Sequence, residues 1–292
     1  MQDENMFQRA CLIQLQTSCW QGMTTLGSGL MEKVGNSEWL KGAKILIDPE
    51  SLLPVRSVIS KARVYLSKSA LPFPVFGLTL VPKEIISEMD TDLRGFQEEF
   101  KVEVENFIRR YDDERHKAKM SLGDLFSDTD YPIDIRGKFR FQWRFMTLDV
   151  PTRSGILTPE IYEREKEKFR VLMDETRELA TVALREEFAG MIRHMAERLN
   201  GSEDGKPKKF KSSMIGKMHE FLDTFENRNI FCDDTLSDLV SQARDVVSGL
   251  SPEELRKDEN LRHYIAGEMS QLRNAIDGAI EDLPRRKIRL AA

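Results

Sequence analysis

The chain has 292 residues, enough for one large domain or two of ordinary size with a real core. Charged residues make up 32 % and apolar ones 40 %, and a net charge of −5 argues against polyanion binding by the molecule as a whole while leaving local basic clusters open to it. With a mean hydropathy of −0.45, an acidic start (Met1-Gln2-Asp3-Glu4-Asn5) and only Cys11, Cys19 and Cys232, the chain is expected to be a reduced, cytoplasmic, water-soluble protein with no disulfide framework, thiolate metal site or membrane span.

The opening segment places Met6, Ala10, Ile13 and Thr17 near helical spacing, while Leu12-Ile13-Gln14-Leu15-Gln16 also tolerates a strand. Residues 22–35 are rich in glycine and threonine and read as loop. Asp48-Pro49-Glu50 then starts a helix: a capping carboxylate, proline at the first position, and an acid facing the positive dipole end. That helix is expected to reach about Lys68, adjusted around Pro54. The apolar stretch 70–82 is broken by Pro72, Pro74 and Gly77, and its end, 76–81, reads as a buried strand closed by Pro82.

A long helix follows over 82–119, with Met89, Leu93, Phe96, Phe100, Val104, Phe107 and Tyr111 at gaps of four, three, four, four, three and four. This eleven-residue period disfavours a long left-handed coiled coil and suits a straight bundle helix. Residues 121–137 form a loop of turn-forming residues, and a strand spans 139–149. Thr158-Pro159-Glu160 opens a second long helix to residue 200. Its stripe is Phe169, Leu172, Thr176, Leu179, Ala180, Ala183, Leu184, Phe188, Met191, Met195 and Leu199. Further helices are predicted at 213–227, 235–247 and 251–282, the last opened by the capping box Ser251-Pro252-Glu253-Glu254. The chain therefore divides into an N-terminal segment (1–48), a long-helix hairpin with an inserted strand (49–200), a linker (201–211), a C-terminal helical region (212–283) and a basic tail (284–292). The fold class is mostly α: a long-helix hairpin or bundle with a small β element near 76–81 and 139–149.

The familiar catalytic and cofactor patterns each fail at a required position. Gly22 and Gly27 have P-loop spacing, but Ser28 stands where the phosphate-binding lysine belongs, and no G-x-G-x-x-G is present. His219-Glu220 begins a zinc-protease pattern that Asp223 ends. Asp113 and His116 resemble half of a di-iron helix pair, but the other long helix has Met191 three before His194. Asp128, Asp130 and Asp134 lack the glycine and glutamate of a calcium loop and read as a solvated acidic loop. No nucleophile elbow is present. No catalytic, cofactor-binding or metal-ligating residue is therefore named.

The segment Lys138-Phe139-Arg140-Phe141-Gln142-Trp143-Arg144-Phe145 interleaves rings with cations, the chemistry of a single-strand nucleic-acid surface. Alternation on a strand puts the aromatics on one face and Arg140 and Arg144 on the other, so the aromatic face is expected to seal the sheet against the long helices. Two further basic clusters, Lys206, Lys208, Lys209 and Lys211 in the linker and Arg285, Arg286, Lys287 and Arg289 in the tail, read as solvated or as contacts for an acidic partner or nucleic-acid backbone. The 120–138 connector is long enough to bring the aromatic strand back beside 76–81, and that pairing is expected.

The approach Leu80-Val81-Pro82, the long helix through Phe100, Phe107 and Tyr111, the strand Phe139-Arg140-Phe141-Gln142-Trp143, and Asn229-Ile230-Phe231-Cys232-Asp233-Asp234-Thr235-Leu236 together are similar to one family. It is an uncharacterised domain-of-unknown-function family of bacteria, phages and integrative mobile elements, with an R-F-x-F-x-W strand after a long helix. The match would cover most of 51–280. The resemblance implies no activity and no catalytic residues. It does imply company, since such genes lie near those for MoxR-type AAA+ ATPases and von Willebrand A-type proteins. The acidic loop 121–134 departs from the family pattern.

The leading expectation is a non-enzymatic helical adaptor or assembly subunit that contacts an AAA+ ATPase or further copies of itself. The second is a nucleic-acid-binding accessory of recombination or replication using Arg140, Arg144 and the basic tail. The third is an enzyme whose site is assembled from scattered residues.

Overall fold

The computed structural model describes residues 6–26, 42–148, 157–199 and 212–281. Helix dominates these residues, with two small sheets, as the periodicity predicts. The chain forms two compact units: one of Met1–Leu12, Ser69–Glu84 and Thr147–Ala292, the other of Ile13–Lys68 and Ile85–Met146.

Helix α1 is a single turn, Met6–Arg9, and β1 follows at once as Ala10–Ser18. Of the two readings of the opening segment, the strand is the one formed, and Ala10, Cys11, Leu12 and Ile13 are buried in succession at its start. Strands β2 (Met23–Thr25) and β3 (Ala43–Ile45) pair antiparallel with Met23 opposite Ile45. Gly22 precedes them at φ +67°, donating no side chain because a Cβ there would meet Ile47 Cγ1 at 2.8 Å.

The Asp48 cap is formed, its carboxylate accepting from the Glu50 amide at 2.9 Å. It opens a 3-10 turn, Pro49–Leu52, and the α-helix proper, α2, runs Leu53–Ser69. The delay follows from Pro54, which is tolerated only in the first turn of an α-helix. Helix α3, Ile86–Leu122, comes after another 3-10 turn, and it buries all of the predicted stripe except Phe96, which is half-buried.

Strand β6, Arg140–Met146, is shorter than predicted, and residue 149 of that reading lies outside the described residues. Its aromatic face lies on α3, with Phe141 centred 5.5 Å from Phe100 and Phe139 5.6 Å from Phe107. The Gln97 amide donates to the Phe141 carbonyl at 2.8 Å and the Trp143 indole to Asp90 at 2.9 Å. Beyond it, Trp20, Leu46, Ile47, Leu52, Phe107, Tyr111 and Tyr131 form one buried cluster.

Strands β4 (Leu71–Pro72) and β5 (Thr79–Pro82) form an antiparallel hairpin with Leu71 opposite Leu80. Phe76, Gly77 and Leu78, read as strand, belong instead to its turn. The four-stranded sheet has the order β4-β5-β1-β6, so the aromatic strand neighbours β1 and not the 76–81 segment. The opening segment supplies the strand that the sequence reading left undecided, and it takes the place expected for the hairpin.

Helix α4, Pro159–Leu199, is followed by α5 (Ser212–Arg228), α6 (Asp234–Val247), α7 (Pro252–Lys257) and α8 (Glu259–Glu281). Two details differ from the predicted pattern. Leu179 is exposed and Met173, Arg185, Ala189, Ile192 and Ala196 are buried, because α4 is covered by β4, α5 and α8 along different stretches rather than by one flat neighbour. The single helix predicted over 251–282 is two, because the Asp258 carboxylate caps a new start by accepting from the Leu261 amide at 3.0 Å. The capping box at its beginning is formed, with Ser251 accepting from the Glu254 amide at 3.1 Å.

Candidate interaction surfaces

Arg140 and Arg144 are exposed on β6, opposite the face that packs on α3, and among the described residues neither has an ion-pair partner. Lys206, Lys208, Lys209 and Lys211, like Arg285, Arg286, Lys287 and Arg289, lie outside the described residues. Because Phe139 and Phe141 are engaged by α3, those rings offer no free face on which bases could stack.

The acidic loop is more engaged than its composition suggests. Asp130 is ion-paired with the buried Lys44, which also donates to the Leu125 carbonyl at 3.1 Å, and Asp128 accepts from Arg115 at 2.5 Å. Tyr131 is buried between them and donates to the Leu46 carbonyl at 2.8 Å. The loop thus ties α3 to β3 rather than standing free in water. Nearby Glu114 is buried, and the Lys117 ammonium, with help from the Asp48 amide, holds its carboxyl below the usual range against the opposing effect of burial. Among the described residues no group of three or more His, Cys, Asp or Glu side chains is placed to hold a metal ion. His116, His194, His219 and His263 are all exposed. Burial raises the Cys11 and Cys19 thiols, which keeps them protonated. No helix among the described residues is long and apolar enough to cross a membrane.

Two surfaces of the first unit offer contacts. One is the β4–β5 turn. The Leu78 amide donates to the Val75 carbonyl at 3.2 Å, closing a turn in which Gly77 takes φ +80°, the value that a type II turn asks of its third residue. Gly77 therefore fixes the turn, and Phe76 beside it is left fully exposed, with Val75 exposed next to it. Leaving a ring of that size in water forgoes about 1.5–3 kcal/mol of burial. In the second unit, Ile133 is fully exposed in the loop after Tyr131.

The other surface is a cleft of about 490 Å³ between α4 and α5, within the ~300–1,000 Å³ range of ligand pockets. Met191 and Met195 of α4 and Met214 and Met218 of α5 line it, with Glu186, Glu187, Gly190, His194, Arg198 and Lys217 around them. The two helices run antiparallel here, since Phe188 stacks on Phe221 at 5.6 Å and Glu187 receives Arg228 at 2.6 and 3.2 Å. Met191 and Met195 belong to the predicted apolar stripe of α4; Met195 is buried as that stripe requires, and Met214 and Met218 of α5 are buried with it.

The segment Asn229–Leu236 that carried the family resemblance is a structural joint. The Asp233 carboxylate caps α6 by accepting from the Leu236 amide at 3.1 Å, and it accepts two bonds from buried Arg185, at 2.7 and 2.8 Å. Arg185 also donates to the Ala279 carbonyl, so one guanidinium joins α4, α6 and α8. Asn229 accepts from the Asp233 amide at 2.8 Å and donates to Ser237 at 2.9 Å, and Cys232 sits at φ +55° in the turn.

A family model whose description is "Protein of unknown function (DUF3150)" matches residues 7–266. No curated protein and no solved structure matches the chain.

Proposed function

Because the chain belongs to the family described as "Protein of unknown function (DUF3150)", which assigns no activity, we propose a role from its own surfaces: a non-enzymatic helical adaptor or assembly subunit acting through protein–protein contacts. Its partner in this reading is an AAA+ ATPase of the MoxR type or further copies of the chain, in the bacterial phage or mobile-element setting that the resemblance suggests. The observation that carries the reading is Phe76, held fully exposed by a turn whose geometry Gly77 fixes. A large ring on a defined turn is a ready anchor, the kind of residue that dominates protein interfaces. The test is size-exclusion chromatography with light scattering, alone and with a purified MoxR-type ATPase. A complex or oligomer that Phe76→Ser disrupts, with the fold unchanged by circular dichroism, supports the reading. A strict monomer that binds no ATPase overturns it.

A second reading, nucleic-acid binding, is favoured by Arg140 and Arg144, exposed on one face of β6 about 13 Å apart at strand spacing. Retardation of single-stranded DNA at low salt that Arg140→Gln/Arg144→Gln removes would favour it over the first.

A further inference from the structure

Strand β6 supports a more specific statement, which rests on the protein-contact reading. It ends the strand order, so among the described residues β1 is its one neighbouring strand and its other side is an edge of the sheet. An edge presents backbone amides and carbonyls that another strand can pair with, and native sheets blunt such edges with short strands, prolines or bulges. This edge runs for seven residues, Arg140–Met146, without proline or glycine and with three of the aromatic residues that favour strands. Gln97 of α3 supplies a single side-chain bond to it, at the Phe141 carbonyl.

The two faces of β6 offer different chemistry beside that edge. On one, Gln142 is turned toward β1 and donates to Gln16 at 2.6 Å. Arg140 and Arg144 flank it, exposed, and among the described residues neither has an ion-pair or hydrogen-bond partner. Neither β1 nor β6 contains an acidic residue, so the positive charge on this face is uncompensated within the two strands. On the other face Trp143 and Phe145 are half-buried. Trp143 is held in place by its indole bond to Asp90 and by an edge contact with Phe141 at 6.3 Å.

These features select among occupants. A second copy paired about a twofold axis at Gln142 would set Arg140 of each chain opposite Arg144 of the other, and like charges directly opposite destabilise a strand pair. A nucleic-acid strand would meet the two charges without a ring to stack on, because the aromatics of β6 lie on the opposite face. An acidic strand meets both arginines with opposite charge, the favourable cross-strand pair. We propose that the edge of β6 takes an extended segment of a partner protein as an added strand. Acidic residues four apart in that segment lie opposite Arg140 and Arg144, and the apolar residues between them lie on the side of Trp143 and Phe145. Backbone bonds supply the affinity and the alternating side chains the selectivity.

The test is fluorescence anisotropy with the full chain and three labelled seven-residue peptides, capped at both ends. The first is Thr-Glu-Val-Thr-Val-Glu-Thr, and the second carries lysine in place of both glutamates. The third is the first with the amides of its three central residues N-methylated, which removes the donors that strand addition needs. The glutamate peptide is expected to bind saturably, and each of the other two at least about tenfold more weakly. Arg140→Glu/Arg144→Glu is expected to reverse the preference, favouring the lysine peptide, with circular dichroism unchanged. Equal binding of the glutamate and lysine peptides, binding that survives N-methylation, or an unreversed preference in the variant overturns the proposal. So does retardation of single-stranded DNA that Arg140→Glu/Arg144→Glu abolishes while no peptide binds, which would assign the two arginines to nucleic acid. If no peptide binds but Phe76→Ser still disrupts a complex, the β6 proposal falls and the adaptor reading stands. If the glutamate peptide binds as described and the chain is a strict monomer that binds no ATPase, the edge stands and the partner named for the adaptor falls.

Discussion

Arg185 and Asp233 make the most consequential pair of residues in the first unit. Burial alone would push the Asp233 carboxyl up, but the bonds from Arg185 and the Leu236 amide, and the charge of Arg185, outweigh it and hold the group below its ordinary value of 3.8. A depressed acid contributes stability above its unfolded pKa and loses that contribution as pH falls through the folded one. Asp233→Asn keeps the cap acceptor but leaves a buried guanidinium unpaired, at an expected cost of about 3–5 kcal/mol by urea unfolding near neutral pH. The cost should shrink as pH falls below the ordinary carboxylate range and through the lowered folded value, because the wild-type carboxyl then takes up a proton itself. Neither residue was legible as a partner in the sequence. Arg185 sits between Leu184 and Phe188 on the buried side of α4, where a charge reads as a break in the stripe, and its partner is 48 positions away.

The elements were largely readable wherever their own residues decide them. The Asp48 and Ser251 caps and the stripe of α3 all depend on neighbours within a turn or two, and they formed as spacing predicts. What failed depended on distant chain: β1 as the neighbour of β6 and the several neighbours of α4. The break between α7 and α8 is the exception, because Asp258-Glu259-Asn260-Leu261 holds a cap signal that the continuous apolar pattern masked. Replacing that cap, Asp258→Ala, is expected to cost about 1 kcal/mol and to raise helical ellipticity slightly as the two helices merge, read by a thermal melt followed by circular dichroism. The candidate surfaces were the least readable part. An exposed phenylalanine is defined by what does not cover it, which sequence spacing does not encode.

At the scale of the molecule, two units with separate cores are expected to unfold in two transitions rather than one. Phe107 and Phe188 are each fully buried, one in either unit. Phe107→Ala and Phe188→Ala should each cost about 3–5 kcal/mol, and calorimetry should show each variant lowering a different transition. Equal lowering of both by either variant would mean a single cooperative unit. The interleaving of the two units along the chain also bears on synthesis. Everything the second unit needs, Ile13–Lys68 and Ile85–Met146, has been synthesised before residue 147 is added. Met1–Leu12 and Ser69–Glu84, by contrast, must wait for a C-terminal half still being translated. The nascent protein therefore carries one body able to fold early and two orphaned segments, among them the β4–β5 hairpin, that stay unsatisfied until the segment after residue 147 has followed. Ribosome-stalled fragments that extend about 40 residues beyond Met146, enough to clear the exit tunnel, should accordingly resist protease across the second unit and be cut within those segments.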